Sequence, residues 1–185
     1  MGSVLGLHRL VAHPDTPGRT LRSVTAQVLW QPNDQLWLEF MVSGAGDVRL
    51  AGWNPTGRTD GLWQTTCFEM FLKPSGTSGY TEYNFSPSGQ WAAYGFDDYR
   101  AGMQDFPIDI APEIELTGNG SDTFWLAIVP VVPPNCDRPW DVALSAVIEE
   151  SDGTKSYWAL RHPPGKPDFH HPDCFALTLE APPPA

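Results

Sequence analysis

The stretch RTDGLWQTTCFEMFLKPSGTSGYTEYNFSPSGQWAAY, residues 58–94, decides the fold. Period-two alternation runs through it. Phe68, Met70 and Leu72 take one face of a short strand; Cys67, Glu69 and Phe71 take the other. Thr81-Glu82-Tyr83-Asn84-Phe85 alternates in the same way, and a third strand over 90–96 follows the turn Ser86-Pro87-Ser88-Gly89. Successive strand side chains point to opposite faces, so choosing the core face fixes the other. With Phe68, Met70, Leu72, Tyr83 and Phe85 turned inward, Glu69, Glu82 and Asn84 share the opposite face. A carboxylate beside a carboxamide can grip vicinal hydroxyls through paired hydrogen bonds. Trp63, just ahead of the first strand, offers an indole platform for the C–H face of a sugar. The competing reading of the three polar residues is a solvated outer face.

The same period recurs outward from this centre. Val24, Ala26, Val28 and Trp30 alternate with polar neighbours. Leu36, Leu38, Phe40 and Val42 do so too, with Trp37, Glu39 and Met41 on the reverse side. Further strands are expected over 4–11, 123–132, 141–149, 155–160 and 174–180. Turn signals at Gln31-Pro32-Asn33-Asp34, Gly118-Asn119-Gly120 and Ser151-Asp152-Gly153 separate them. The best helix candidate, 97–104, is short and reads as a helical turn within a loop. About ten or eleven short strands with Gly/Pro turns argue for an all-β fold. The expectation is a sandwich of two antiparallel sheets, of jelly-roll or immunoglobulin-like type. It forms one domain over 1–180, followed by a Pro-rich tail, 181–185.

Charge narrows the partners. A net charge of −11, with lysine only at positions 73, 155 and 166, makes nucleic acid and anionic membrane surfaces poor partners. Neutral or cationic ligands meet no such repulsion. No apolar run is long enough for a transmembrane helix, and the start of the chain lacks a signal peptide's apolar core. Cys67, Cys136 and Cys174 are an odd count without close pairing, which reads as free buried thiols in a reducing, cytoplasmic setting.

Three further clusters invite chemistry. His170, His171, Asp168, Asp173 and Cys174 fall in RHPPGKPDFHHPDCF, residues 161–175. Adjacent histidines on an extended segment point to opposite sides, and the spacing matches no zinc pattern. The segment reads instead as a Pro-rich loop folded over the sheet edge, with Lys166 and Asp168 paired. A further reading places Phe169, His170 or Arg161 at the rim of a ligand cleft. Asp97 and Asp98 raise the question of calcium, against the plainer reading of a turn. Catalysis finds little footing. Ser86 and Ser88 do not lie in a nucleophile elbow, and only the pair Glu69/Glu82 resembles a glycosidase acid and base.

Three segments, LWQTTCFEMFLKP (62–74), YTEYNFSPSGQWAAYGFDDYR (80–100) and HPPGKPDFHHPDCFALTL (162–179), resemble the DOMON-like superfamily. More narrowly, they resemble its bacterial MurB-like group, related to family-nine carbohydrate-binding modules. The resemblance implies two antiparallel sheets with a ligand cleft on a concave face. In those modules a Trp stacks on the sugar and a strand Glu binds hydroxyls, roles that fall on Trp63 and Glu69. A following pair, usually Arg or Gln and then Asn, falls on Glu82 and Asn84, where Glu82 departs by charge. A second stacking aromatic falls on Trp158 or Phe169. Other members of the superfamily hold haem through Met and His, for which Met41, Met70 and Met103 and His162, His170 and His171 are available.

The expectation is thus a non-catalytic module that holds a small saccharide or glycoconjugate, without metal or obligatory cofactor. Its site is Trp63, Glu69, Glu82 and Asn84, with Arg161, Phe169 and His170 at the rim. A haem-binding electron-transfer module, or a protein-interaction domain, is the alternative.

Overall fold

The computed structural model describes residues 4–32, 34–118, 121–134 and 139–180. Cys136, the tail 181–185 and the centres of two expected turns, Asn33 and Asn119-Gly120, lie outside them. Thirteen strands form among the described residues: β1 (Val4–Ala12), β2 (Ser23–Gln31), β3 (Gln35–Ser43), β4 (Gly57–Arg58), β5 (Cys67–Pro74), β6 (Tyr80–Phe85), β7 (Gln90–Phe96), β8 (Gln104–Asp105), β9 (Glu113–Thr117), β10 (Thr123–Val131), β11 (Trp140–Glu149), β12 (Lys155–Ala159) and β13 (Leu177–Leu179). Three one-turn 3-10 helices, Ala45–Asp47, Leu62–Gln64 and Pro172–Cys174, complete the set. None is long and apolar enough to cross a membrane.

The strands make one continuous sheet, in the order β4-β7-β6-β5-β11-β12-β1-β2-β3-β10-β9, with β13 beside β11 and β8 beside β7. This corrects the expectation of two separate sandwiched sheets. The cause lies in β1, which serves two partners. Residues from Val4 to Leu10 pair with β2, whereas Val11 and Ala12 pair with Ala159 and Trp158 of β12. The sheet therefore continues through β1, whose pairing with β2 shifts register between Leu5 and His8, and it curls so that its two limbs face each other.

The main core fills that curl. Phe68 of β5 meets Phe40 of β3 at 4.9 Å and Phe124 of β10 at 6.2 Å between ring centroids. On β2 and β3 the expected inward residues, from Val24 to Trp30 and from Leu36 to Val42, are buried, and every intervening neighbour is partly exposed. Three strands were not expected. β4 and β8 have two residues each, too short to show a period, and β9 is the edge of the sheet. Residues 97–104 form no helix. They turn tightly, with the Ala101 amide donating to the Asp98 carbonyl at 3.0 Å. The expected last strand, 174–180, shortens to β13 after the turn at Pro172–Cys174.

Candidate functional site

The limb formed by β5, β6, β7 and β11 is buried on both faces. All six residues of β6 are buried, and so are eight of the last nine of β11 and its first, Trp140. One face belongs to the main core. The other carries a second cluster that includes Cys67, Phe71, Tyr80, Tyr94, Phe96 and Val147, closed over by Phe169 and Cys174 from the segment 161–175. Glu69, Glu82 and Asn84 lie on this second face at 3%, 5% and 0% exposure, so they are not a solvated outer face.

Register explains how they meet. Glu69 stands opposite Ser145 of β11 on one side and opposite Asn84 of β6 on the other. Directly opposed side chains on one sheet face are close enough to bond. The Ser145 hydroxyl donates to Glu69 Oε2 at 3.1 Å, and Asn84 Nδ2 donates to Glu82 Oε1 at 2.7 Å. Burial pushes Glu82 up to about 7 against the opposing pull of Asn84 and Arg100. Burial, reinforced by the charge of Glu82, drives Glu69 well above the usual carboxylate range. The Cys67 thiol is raised too, by burial and then by Glu69.

The C-terminal segment is held down by Asp168. Its Oδ1 accepts from Arg100 Nη2 at 2.7 Å and Nε at 3.2 Å, and its Oδ2 accepts from the Tyr99 hydroxyl. Asp168 is therefore the partner of Arg100, where sequence suggested Lys166. Arg100 reaches it from a left-handed backbone, φ 52°, which is uncommon for a residue with a Cβ. The next turn residue but one, Gly102, has φ 67°, and the Asp97 carboxylate fills the space where a side chain there would stand.

His170 sits beneath this clasp, against the rings of Phe96 at 5.1 Å and Phe71 at 5.3 Å. The Arg100 amide donates to the Tyr80 hydroxyl at 3.2 Å, and that hydroxyl lies 2.7 Å from His170 Nδ1. With the phenol donating to Nδ1, the imidazole proton rests on Nε2, 3.7 Å from Glu82 Oε2. Burial and the nearby Arg100 charge lower His170 to about 4, so the ring is neutral at neutral pH.

Together these groups border a cavity of about 350 Å³. Glu69, Glu82, His170 and Phe169 line it, as does Trp63, which is 40% exposed. Trp63 is set at the mouth by the 3-10 turn Leu62–Gln64, whose Leu62 is buried beneath, and its ring meets Tyr94 edge-on at 6.0 Å. Asn84 does not line the cavity; it stands behind Glu82. Arg161 is exposed and is also absent from the lining. Phe169 faces the cavity, whereas Trp158 is in the main core with its indole N–H on Ser156 at 2.9 Å.

Arg100, Phe96, Val147, Tyr157 and Pro167 also line the space and are not among the sequence-derived site residues; Met103, which sequence offers only as a haem ligand, lines it too. Arg100 closes the resembling segment 80–100, which was the one signal available for it. A second cavity, of about 510 Å³, lies beside the 77%-exposed Trp53. Ser121 and the indole of Trp53 are its polar side chains, and no charged side chain lines it.

Among the described residues no three His, Cys, Asp or Glu side chains gather as a metal set. The Asp98 carboxylate is engaged by the Tyr99 amide at 2.7 Å. Met70 lies in the main core, across the sheet from His170, and both ring nitrogens of His170 face protein groups. Met103, by contrast, lines the same cavity as His170. Cys67 and Cys174 are free, buried thiols.

No family model matches the sequence, and no curated protein matches it. Among solved structures, the chain is similar to one described as a putative carbohydrate-binding protein from Bacteroides uniformis ATCC 8492. The TM-score is 0.68 at 16% identity, over 95% of this chain and 85% of that one. At that identity the likeness is one of fold.

Proposed function

We propose that the cavity beside β5, β6 and β11 binds a saccharide or glycoconjugate and that the protein is a binding module without catalysis of its own. One observation carries the reading. Two buried carboxyl groups, Glu69 fixed by Ser145 of the neighbouring β11 and Glu82 by Asn84 of its own strand, face the same space as a half-exposed indole. Polar groups set in an otherwise apolar and aromatic lining orient a ligand, and the lining supplies contact area. Trp63 is the stacking platform and Phe169 the second aromatic. Glu69 and Glu82 take the hydrogen bonds, Asn84 holds Glu82, and His170 offers its Nε2 proton. The description of the structurally similar protein as carbohydrate-binding supports this reading. So does the resemblance of three segments to the MurB-like DOMON group, which is retained without the two-sheet architecture it implied.

The test is tryptophan fluorescence during titration with mono- and oligosaccharides, amino sugars and cell-wall fragments. The expected result is a saturable change for one class, weakened about tenfold or more in Trp63→Ala, equivalent to about 1.4 kcal/mol. A flat response to every saccharide, or binding untouched by Trp63→Ala, overturns the assignment.

A further inference from the structure

We infer that the ligand of this cavity carries a protonated amine, which docks between Glu69 and Glu82. The inference rests on the saccharide reading and narrows it to amine-bearing saccharides.

The argument is one of charge and of unfilled acceptors. Among the described residues each carboxyl group receives a single hydrogen bond, from a neutral donor: Ser145 to Glu69 Oε2 and Asn84 to Glu82 Oε1. Among the described residues, Glu69 Oε1 and Glu82 Oε2 accept none, although both side chains are at least nine-tenths buried and line the cavity. The basic groups nearby do not neutralise the pair. Arg100 lines the cavity and pulls both carboxyl groups down, but burial outweighs it and its guanidinium is clamped by Asp168; His170 is neutral. The other titratable groups that interact with the pair or share its cavity are Cys67, Tyr80, Tyr94 and Tyr157, none of which adds positive charge.

A desolvated carboxylate without a counter-charge is unfavourable, and the protein alone relieves it by retaining protons. An ammonium group relieves it directly. It brings three donors to two waiting oxygens and displaces the proton held near neutral pH. The rings of Trp63, Phe96, Tyr157 and Phe169 border the same space, and aromatic faces attract cations. The net charge of −11 draws such a ligand from a distance. An N-acetylated sugar has lost that charge and brings a single N–H donor.

The experiment is isothermal titration at neutral pH of each amine-bearing saccharide against its own N-acetylated form, with ethanolamine as a sugar-free amine. Buffers of different ionisation heat report proton release. The amine-bearing form should bind at least about tenfold tighter and release protons. In Glu69→Gln and Glu82→Gln the preference should vanish. Both variants should fold, since each removes an uncompensated buried charge. Equal or tighter binding of the N-acetylated or neutral sugar, without proton release, overturns the amine inference and leaves the saccharide reading standing. Ethanolamine binding as tightly as any amino saccharide does the reverse. If nothing binds, both fall.

Discussion

The two limbs of the curled sheet share one core and differ in what covers their backs. On β2 and β3 each buried residue is followed by a partly exposed one, and the back meets solvent. On β6 and most of β11 the alternation disappears, because the segment 161–175 covers the outer face. A singly covered limb is a packing device. A doubly covered limb has a second interior, and here that interior holds two carboxyl groups that destabilise the fold. Keeping unfavourable polar groups buried is the usual mark of a site. The comparison therefore supports the proposed site on the back of β5–β7 and β11, with the β1–β3 limb as scaffold.

The largest effect should come where the limbs meet. Phe68 is fully buried between Phe40 and Phe124, and Phe68→Ala should cost about 3–5 kcal/mol in denaturant unfolding. A loss below about 1 kcal/mol would mean that the limbs do not share a core.

The next effect tests the second interior by pH. A carboxyl group raised from 4.5 to about 7 on folding holds a proton that the unfolded chain releases. Stability therefore falls as pH rises between those values, and the full penalty stands above about 7. His170, lowered from 6.5 to about 4, acts in the opposite direction between those two values, so the carboxyl signature is cleanest above 6.5. Glu82→Gln should be more stable than the wild type in mildly alkaline solution, by about 1–3 kcal/mol, with the gain shrinking as pH falls toward the unfolded value. A pH-independent difference would show that Glu82 is not buried as described.

A smaller effect is expected from the clasp. Asp168→Ala removes the partner of Arg100 and should cost about 1–2 kcal/mol, read by chemical denaturation. It should also speed hydrogen exchange in the segment 161–175, while β2 and β3 stay protected. The smallest effect belongs to the singly covered back. Gln27 bonds Glu39 at 3.1 Å on that face, and Gln27→Ala should change stability by less than about 0.5 kcal/mol. A larger loss would show that this back too is covered.

Much of this arrangement was legible in the alternation itself. Val24 to Trp30 and Leu36 to Val42 declare their inner face because their neighbours are polar. The same parity put Phe68, Met70 and Leu72 opposite Glu69. Parity, however, says only that two residues share a face; it does not say what lies over it. Glu69, Glu82 and Asn84 look alike to it whether solvent or a loop stands above them. The double pairing of β1 leaves no trace in its own period, so alternation alone does not distinguish one curled sheet from two. The left-handed turn at Arg100 is set by the chain around it, and its partner Asp168 lies 68 residues further on. Phe169 and Trp158 were equal candidates until register turned Trp158, opposite Ala146, into the main core.

The most direct test is diffraction from a crystal soaked with the saccharide that binds most tightly. The ring should lie against Trp63, with its polar groups within hydrogen-bond reach of Glu69 and Glu82. Density against Trp53 in the other cavity, with the space between Trp63 and Phe169 holding only water, would contradict the assignment.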